Sequence, residues 1–377
     1  MAESSADVVV IGSGLAGASA AWHLARSGRE VTLLERFHLG HSNGSSHGTS
    51  RIFRRAYADP FYVELTGRGE PWWDALESEA GVPLRTVTGG LDSGIKRDAS
   101  RLLEVMRGCG VAAHMMAPEE VTERWPGLVV DEPAMFHPDA GWLNADATVA
   151  AMVNRAQAHG AQLVTGAVVE SLEPAGEGLR VHSTTGISWR ARHVVLCMGA
   201  WLPEQLPRFL RDLNLKPALP QFTVKQQEVF HFRQRDPGVQ YPVVVHKGIA
   251  AHNDGEFYTL PSGADGGESP AMKIGQFDSA FTTTASGRDK VIDPRARHDV
   301  DHYLQEHFPG LEPEPTAAMS CLFTMTSDED FLIDTVGPLT IASPCSGHGA
   351  KFAPLLGEII AQAVGGVEPP ERFRFRL

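Results

Sequence analysis

The stretch DVVVIGSGLAGASAAWHLARSGREVTLLER, residues 7–36, decides the fold. Residues 8–11 form a continuous apolar run, which is typical of a parallel strand buried on both faces. A glycine-rich turn follows, a helical pattern then extends to about Arg26, and residues 31–35 have the pattern of a second strand. This order of strand, glycine turn, helix and strand predicts a βαβ unit.

The turn has the chemistry of a dinucleotide site. Gly12, Gly14 and Gly17 form G-x-G-x-x-G, whose small residues let the backbone approach a pyrophosphate. The start of the following helix stabilises the phosphate charge. Glu35 stands about 20 residues further on, where it can accept hydrogen bonds from ribose hydroxyls and would repel a 2′-phosphate. The motif therefore predicts FAD or NAD(H) rather than NADP(H).

The composition excludes several classes of partner. The chain has 377 residues and a formal charge of −13, whereas nucleic acids and anionic membranes bind basic surfaces. No apolar run is long enough to span a bilayer, and the first ten residues lack the order of a signal peptide. The four cysteines show neither a metal-ligand spacing nor a disulfide framework. We therefore expect a cytoplasmic enzyme with no metal, no nucleic acid partner and no membrane partner.

The rest of the chain alternates between helical and strand patterns. Asp59 and Pro60 start a helical segment, and Asp146 is expected to cap another that extends to about His159. Residues 216–316 alternate as in an antiparallel sheet, apart from a late helix at about 296–308. The dinucleotide-binding pieces are therefore discontinuous, and two insertions form a second domain.

Four further segments carry a family resemblance: GHSNGSSHGTSRIFRRAY, VVLCMGAW, SCLFTMTSDEDFLID and SGHGAKF. Together, and in this order, they resemble the monomeric sarcosine oxidase and N-methyltryptophan oxidase family of D-amino-acid-oxidase-like flavoproteins. The resemblance implies FAD as cofactor and the oxidation of secondary or cyclic amino acids to imines, with oxygen reduced to hydrogen peroxide. It also implies a monomer whose partners are a small amino-acid substrate and molecular oxygen.

The implied fold is α/β, with a discontinuous Rossmann-like FAD-binding domain and a substrate domain built on a mixed, largely antiparallel sheet. We assign the FAD-binding domain to residues 1–84, 142–215 and 317–377, and the substrate domain to residues 85–141 and 216–316. The substrate domain would thus consist of the two insertions.

The resemblance also implies which residues contact FAD. By composition alone, the glycine- and serine-rich loop after Glu35 would be a solvated segment, but in this family it passes the flavin. The predicted cofactor contacts are Gly12, Gly14, Gly17, Glu35, Arg36, Gly44, Ser45, Ser46, Arg51, Val169, Gly199, Trp201, Gly347, His348, Gly349 and the Lys351 amide. His47 matches a further position beside the flavin, and both histidines are interpreted as cofactor neighbours rather than metal ligands.

Three cations are assigned to the reaction through the same resemblance. Arg54 and Lys351 match the pair that binds the substrate carboxylate, a task suited to the fixed charge and fork of a guanidinium. Lys273, which alone would be interpreted as an edge-strand charge, matches the lysine that promotes oxygen reduction beside the flavin. A fixed positive charge there favours formation of superoxide.

The walls of the predicted pocket depart from the sarcosine-specific members. Phe277 stands where those members have a histidine, and Phe323 stands where they have a tyrosine. Both replacements make the pocket more apolar, and Tyr258 is assigned to an aromatic wall. The choice between an N-methyl and a cyclic amino acid stays open.

Cys321 heads the segment CLFTMTSDEDFLID. Taken alone, a single cysteine in a strand pattern is a buried apolar residue. In the family, the cysteine at this position is bonded through sulfur to the 8α-methyl carbon of the flavin, so the resemblance implies an 8α-S-cysteinyl FAD. Cys345 is the rival because it lies in the flavin-facing turn, but its family counterpart is an apolar residue.

Three alternatives stand beside the oxidase. A dehydrogenase of the same fold would pass its electrons to an acceptor other than oxygen, and Lys273 argues against it. A flavin-binding module without turnover would have no use for Arg54 and Lys351. An NAD-dependent dehydrogenase would leave Cys321 and the segment SGHGAKF without a role.

Overall fold

The computed structural model describes residues 3–249, 255–277 and 282–376. The strands are β1 (Glu3–Ile11), β2 (Val31–Leu34), β3 (Arg51–Phe53), β4 (Arg85–Val87), β5 (Gly90–Ser93), β6 (His114–Met116), β7 (Ala134–His137), β8 (Gly141–Leu143), β9 (Gln162–Val164), β10 (Val169–Ala175), β11 (Gly178–Ser183), β12 (Ser188–Leu196), β13 (Phe222–Gln234), β14 (Val243–Ile249), β15 (Gly255–Pro261), β16 (Ala271–Gln276), β17 (Thr282–Thr283), β18 (Leu311–Thr326), β19 (Leu332–Val336) and β20 (Leu339–Ser343). The helices are α1 (Leu15–Arg26), α2 (Pro60–Ala80), α3 (Ala99–Gly108), α4 (Pro118–Arg124), α5 (Ala145–Ala158), α6 (Leu202–Asp212), α7 (Pro294–His307) and α8 (Ala353–Val364).

The first sheet is built around the predicted βαβ unit. Its strand order is β10-β11-β12-β1-β2-β9, and β20 also pairs with β12. β12, β1, β2 and β9 run parallel, as does β20 beside β12, so the central strands are buried on both faces. Helices α1, α5 and α8 share a core against this sheet, which includes Trp22, Met152 and Leu356.

The glycine turn after β1 has the close packing that the motif predicts. Gly12 has φ +100°, a conformation that L side chains rarely adopt, and a Cβ there would strike the Cys197 carbonyl. A Cβ at Gly17 would strike the carbonyl of Gly12. Because both positions lack a side chain, α1 can begin directly behind the turn.

The second sheet has the order β17-β13-β16-β15-β14-β5-β7-β6, and β18 pairs with β13. Its pairs are antiparallel except for the parallel pair of β14 and β5. Phe230 and Phe257 of this sheet pack with Tyr303 of α7 in a separate core. A parallel α/β unit beside a mixed, largely antiparallel sheet confirms the predicted fold class.

Two predicted helix starts have different outcomes. Asp59 accepts a hydrogen bond from the Phe61 amide and caps α2, as predicted. The prediction of Asp146 as the cap of α5 is wrong, because Asn144 accepts from the Ala147 amide instead. Asp146 lies in the first turn and accepts from the Gly48 amide at 3.0 Å, so it anchors the glycine- and serine-rich loop.

The small sheet β3-β8-β4 combines strands from both predicted domains. β3 belongs to the segment 1–84, β4 belongs to the segment 85–141, and β8 spans the predicted bound between residues 141 and 142. Strand β18 also extends through the predicted bound between residues 316 and 317. The five segment bounds stay a prediction, and residues 250–254 and 278–281 of the second insertion lie outside the described residues. None of the helices described in the structure combines the length and the apolarity that crossing a bilayer requires.

Candidate active site

A cavity of about 790 Å³ receives residues from both large sheets. It is lined by every residue that the sequence predicted for the site except Gly17, which packs behind the turn. The cavity extends from the βαβ unit, past the glycine- and serine-rich loop and β18, to the turn before α8. Residues that are far apart in the sequence therefore meet in one site.

The end of the cavity at the βαβ unit fits a nucleotide. No side chain caps the start of α1, and the Leu15 amide donates to the Ser46 hydroxyl at 3.0 Å. Ala16, in the same first turn, also lines the cavity. A helix start of this kind presents backbone N–H groups to a pyrophosphate.

Glu35 closes the same end of the cavity with an ionised carboxylate. It accepts hydrogen bonds from the Ser13 amide at 3.0 Å and from the Phe37 amide at 2.8 Å. Burial raises the pKa of Glu35, but His41 at 3.3 Å and these donors outweigh burial and lower the pKa to about 2. A carboxylate that stays charged suits the ribose contact that the motif predicted.

Val169, Gly199 and Trp201 form the wall beside this end. The Arg36 guanidinium lies over the Trp201 ring, 5.7 Å from its centroid. Gly44 approaches the same indole, since a Cβ there would lie 3.7 Å from the Trp201 ring. The wall is therefore aromatic and cationic, as an adenine nucleotide requires.

The loop between Glu35 and β3 is fixed by its own polar groups. Arg51 donates to the carbonyls of Ser50 at 2.8 Å, Ser45 at 3.4 Å and His47, and the Ser45 hydroxyl donates to the Leu322 carbonyl. The buried His47 Nε2 and Ser50 Oγ have no hydrogen-bond partner among the described residues. Because both residues line the cavity, these atoms fit the polar edge of a flavin.

His47 is neutral in this environment. Burial lowers its pKa to about 3, with Arg51, Arg288 and Lys273 acting in the same direction. A neutral imidazole donates one hydrogen bond through one nitrogen and accepts one through the other, and it adds no charge to the site.

At the opposite end, two cations flank Tyr57. The Arg54 guanidinium lies 5.2 Å from the centroid of the Tyr57 ring, and Lys351 Nζ donates to the Tyr57 hydroxyl at 3.0 Å. Lys351 Nζ also donates to the His348 carbonyl at 2.7 Å, and His348 Nδ1 contacts the Tyr57 hydroxyl at 3.0 Å. Tyr57 was missed by the sequence analysis, although it stands in the quoted segment RIFRRAY.

Burial changes the charge state of this end. It lowers the pKa of Lys351 well below its ordinary value, and the charges of Arg54 and Arg97 lower it further. The pKa of His348 falls to about 3, first through burial and then through Lys351. An anion between these groups would favour the charged form of Lys351 and raise its pKa again.

Arg97 and Asp92 are two further residues that the sequence analysis missed. Arg97 lines the cavity and donates to Asp92 Oδ1 through Nε at 2.7 Å, and its Nη2 lies 2.6 Å from the same oxygen. Arg54 Nη1 lies 3.7 Å from the same oxygen and donates to the Ala56 carbonyl. Asp92 is buried on β5, and no motif marks it, so only the folded chain shows that it lies beside Arg54.

Lys273 lies on β16 with only 1 % of its surface exposed. Its Nζ donates to Asp265 Oδ2 at 3.1 Å and to the Ser50 carbonyl at 3.2 Å. Burial and Arg51 lower the pKa of Lys273, Asp265 opposes them, and the resulting pKa is about 8. The sequence analysis missed Asp265, which stands in a loop of no distinctive pattern.

Strand β18 places the predicted cysteine, Cys321, in the wall of the cavity. Met319, Cys321 and Phe323 all line it, as the two-residue period of a strand requires. Burial raises the pKa of the Cys321 thiol, while Arg51 and Arg288 act in the opposite direction.

Arg288 is a further residue that the sequence analysis missed. It donates to the carbonyl and hydroxyl of Ser320, the latter at 2.9 Å, and to the Asn43 carbonyl at 3.1 Å. It therefore ties the glycine- and serine-rich loop to β18 beside Cys321. The rival thiol of Cys345 also lines the cavity, and its sulfur accepts from the Thr324 amide at 3.4 Å.

The remaining wall is aromatic. The Phe277 and Phe323 rings lie 6.2 Å apart between centroids, and Tyr258 lines the same cavity. Gly347 has φ +73°, and a Cβ there would lie 2.9 Å from Phe277 and 3.2 Å from Phe323. The turn that carries Gly347 can therefore approach the two rings only because it lacks a side chain. Gly349 lines the cavity in the same turn.

Comparisons with known proteins agree with this geometry. The family described as FAD dependent oxidoreductase matches residues 7–363. Monomeric sarcosine oxidase of Streptomyces avermitilis is 32% identical over 371 residues, covering 94% of this chain and 92% of that protein. Peroxisomal sarcosine oxidase of Homo sapiens is 30% identical over 373 residues, covering 94% of this chain and 90% of that protein.

Solved structures give the same result. NikD, an unusual amino acid oxidase essential for nikkomycin biosynthesis, matches in its open form with a TM-score of 0.86 and 25% sequence identity. The match covers 99% of this chain and 98% of that chain. The expected cofactor class, FAD, and the expected enzyme class, an oxidoreductase, are thereby confirmed. The chain belongs to the FAD-dependent oxidoreductase family, among the sarcosine-oxidase-like members that its sequence resembles.

Proposed function

We propose that the protein is an FAD-dependent oxidase of an N-methyl or cyclic amino acid, which forms an imine and hydrogen peroxide. The observation that carries this proposal is the pair of buried cations, Arg54 and Lys351, on either side of Tyr57. A substrate carboxylate between them would accept charge-assisted hydrogen bonds from both. The relatives named sarcosine oxidase support an N-methyl amino acid as the substrate class.

The residues of the chain orient the substrate, and the cofactor supplies the redox chemistry. Bound FAD would accept two electrons from the C–H bond beside the substrate nitrogen and pass them on to oxygen. Arg54 and Lys351 would fix the carboxylate, so the amine and its C–H bonds are held in one orientation. No protein base is required, because the substrate reacts in the form in which its own amine is neutral.

Lys273 supports oxygen as the electron acceptor. It lines the cavity, and its partners Asp265 and the Ser50 carbonyl account for two of the three N–H donors of an ammonium group. The third donor and the positive charge are available to the cavity. A fixed cation there would stabilise negative charge that develops on oxygen.

The aromatic wall narrows the substrate further. Phe277 and Phe323 offer no hydrogen bonds to a very small substrate, and Tyr258 adds a further aromatic ring to the same cavity. Apolar surface contributes about 25 cal/mol per Å² when a ligand buries it. A ring or an apolar side chain on the substrate would therefore bind better than the bare methylene of sarcosine.

Cys321 is the proposed attachment site of the flavin. Formation of the S–C bond would break the S–H bond of the thiol and one C–H bond of the 8α-methyl group, with loss of two protons. Two of the four electrons would form the new bond, and the other two would reduce the ring, which oxygen would reoxidise with formation of hydrogen peroxide. Arg51 and Arg288 support this role, because positive charge beside the sulfur favours the thiolate.

We also propose that the enzyme works as a cytoplasmic monomer.

A peroxide-release screen over N-methyl and cyclic amino acids tests the proposal. Each substrate is paired with its carboxamide, which keeps the shape and lacks the charge. We expect hydrogen peroxide from one class of amino acid and none from the matching amides. If a substrate bleaches the flavin without consumption of oxygen, the dehydrogenase replaces the oxidase.

A further inference from the structure

Among the described residues, Asp265 is the carboxylate that contacts Lys273. Oδ2 of Asp265 lies 3.1 Å from Lys273 Nζ, and the two side chains are 10% and 2% exposed. Burial of an isolated ammonium group is strongly unfavourable, so a buried lysine keeps its charge only beside a compensating anion. Asp265 provides that anion at a position where water cannot stabilise the ammonium group.

The Asp265 carboxylate is itself held in place by Thr49. Its two oxygens accept from the Thr49 amide at 3.1 Å and from the Thr49 hydroxyl at 2.6 Å. In return, the Asp265 amide donates to the Thr49 hydroxyl at 3.0 Å. Although burial raises the pKa of Asp265, Lys273 and Thr49 lower it overall, so this carboxylate stays ionised.

The other groups that face Lys273 do not replace Asp265. Arg51 from β3 carries the same charge and opposes the ammonium form. His231, its register partner on β13, has a pKa lowered to about 4 by burial and then by Lys273, so it is neutral at pH 7. The Cys321 thiol has a pKa raised by burial, and His47 is neutral.

We propose that Asp265 is a positioning residue for the oxygen reaction, which keeps Lys273 protonated and fixes its Nζ against the Ser50 carbonyl at the cavity wall. The inference rests on the proposed oxidase function. It assigns a role to the loop between β15 and β16, residues 262–270, as the carrier of the countercharge. Asp265 itself lies behind Lys273 and does not line the cavity, so it acts through the lysine.

The test separates the charge of Asp265 from its hydrogen bonds. Asp265→Asn removes the charge, and Asp265→Ser does so with a smaller side chain, so the result does not depend on one variant folding. Thr49→Val is the matched control, because it removes the hydrogen bonds of the Thr49 hydroxyl to the carboxylate and to the amide of Asp265 and leaves the charge. Lys273→Met identifies effects that pass through the lysine.

The first measurement is reoxidation of the holoenzyme after anaerobic reduction by dithionite, across pH 6 to 9 in stopped flow. The wild-type rate should fall as pH rises through about 8, the pKa of Lys273. An opposite charge within hydrogen-bond distance shifts a pKa by about one to three pH units. The charge-removing variants should therefore lose about 3- to 240-fold in rate at pH 7.5, with the fall moved to lower pH. Thr49→Val should keep the wild-type pH dependence.

The second measurement needs no turnover. Flavin absorbance of the oxidised holoenzyme is titrated over the same range, because a charge beside the ring changes its spectrum. The wild type should show a midpoint near pH 8, the charge-removing variants a lower one, and Lys273→Met none.

The outcomes distinguish the two proposals. If the wild type reacts rapidly with oxygen and the Asp265 variants keep its pH dependence in both measurements, the role of Asp265 is overturned. The same holds if Asp265→Asn and Thr49→Val are slowed equally with unchanged midpoints, since Asp265 would then only anchor the loop. If the reduced wild type reacts no faster than free flavin, the oxidase proposal fails, and the inference fails with it.

Discussion

Replacing Arg54 with alanine should remove one of the two anchors of the substrate carboxylate while leaving the fold intact. Arg54 is mostly buried and lies 3.7 Å from Asp92. Asp92 keeps a stronger ion pair with Arg97 at 2.6 Å, so the substitution leaves no buried carboxylate unpaired. We therefore expect the variant to fold and to bind FAD.

The magnitude follows from the number of charged hydrogen bonds that are lost. A hydrogen bond to a charged group contributes about 1.5–3 kcal/mol, which corresponds to about 10- to 150-fold in affinity. Lys351 remains in the variant and still attracts the carboxylate. The loss should therefore stay within this range and should not abolish binding.

The assay is a titration of the oxidised holoenzyme with a monocarboxylate that cannot be oxidised, such as a heteroaromatic carboxylic acid, followed by flavin absorbance. The carboxamide of the same ring is titrated in parallel, because it differs only in charge at that group. Wild type should prefer the acid strongly over the amide. In Arg54→Ala, the ratio of the two affinities should decrease by about 10- to 150-fold, with the amide almost unaffected.

Arg55 provides the matched control. It is the next residue and carries the same charge, but it does not line the cavity and contacts Glu70 at 3.4 Å and the Val63 carbonyl at 3.2 Å. Arg55→Ala should keep the wild-type preference for the acid. An unchanged acid-to-amide ratio in Arg54→Ala, or an equal loss in both variants, would refute the assignment of Arg54.

Three further predictions concern the other side chains of the site. Wild type and Cys345→Ser should stay yellow after acid precipitation, whereas Cys321→Ser should release its flavin to the supernatant; flavin released from the wild type would contradict attachment at Cys321. Lys273→Met should slow reoxidation by oxygen far more than flavin reduction by substrate, and equal slowing of both half-reactions would count against its role. Burial lowers the pKa of Lys351 and a bound carboxylate raises it again, so binding should take up a proton and weaken as pH rises. Calorimetry in two buffers of different ionisation enthalpy measures that uptake, which Lys351→Met should abolish.

The parts of the site that the sequence predicted are those where local geometry restricts the residue type. Gly12 has a positive φ and no room for a side chain, so its identity is visible in a short motif. Cys321 and Lys273 stand within longer segments whose resemblance assigned them, and both line the cavity. The fold class followed in the same way, because a buried parallel strand and a glycine turn leave few alternatives.

Two of the residues that the sequence did not predict are countercharges. Asp92 and Asp265 are ordinary acidic residues in a strand and a loop without a distinctive pattern. Only the folded chain brings Asp92 within 3.7 Å of Arg54 and Asp265 within 3.1 Å of Lys273. Their role depends on burial and distance, and neither quantity can be calculated from residue order. The same reason explains the misassigned cap at Asp146, which contacts Gly48 instead.

The two lysines of the cavity, Lys351 and Lys273, differ in how their charges are balanced, and this difference supports separate roles for them. Lys351 donates hydrogen bonds to two uncharged groups, the Tyr57 hydroxyl and the His348 carbonyl. An incoming carboxylate therefore gains the full electrostatic attraction of this lysine. Lys273 already has Asp265 as its partner at 3.1 Å, so an anionic substrate gains less from that cation. A neutral molecule such as oxygen can approach Lys273 without displacing an ion. The charge pattern therefore supports the proposal that the carboxylate binds beside Lys351 and that oxygen reacts beside Lys273.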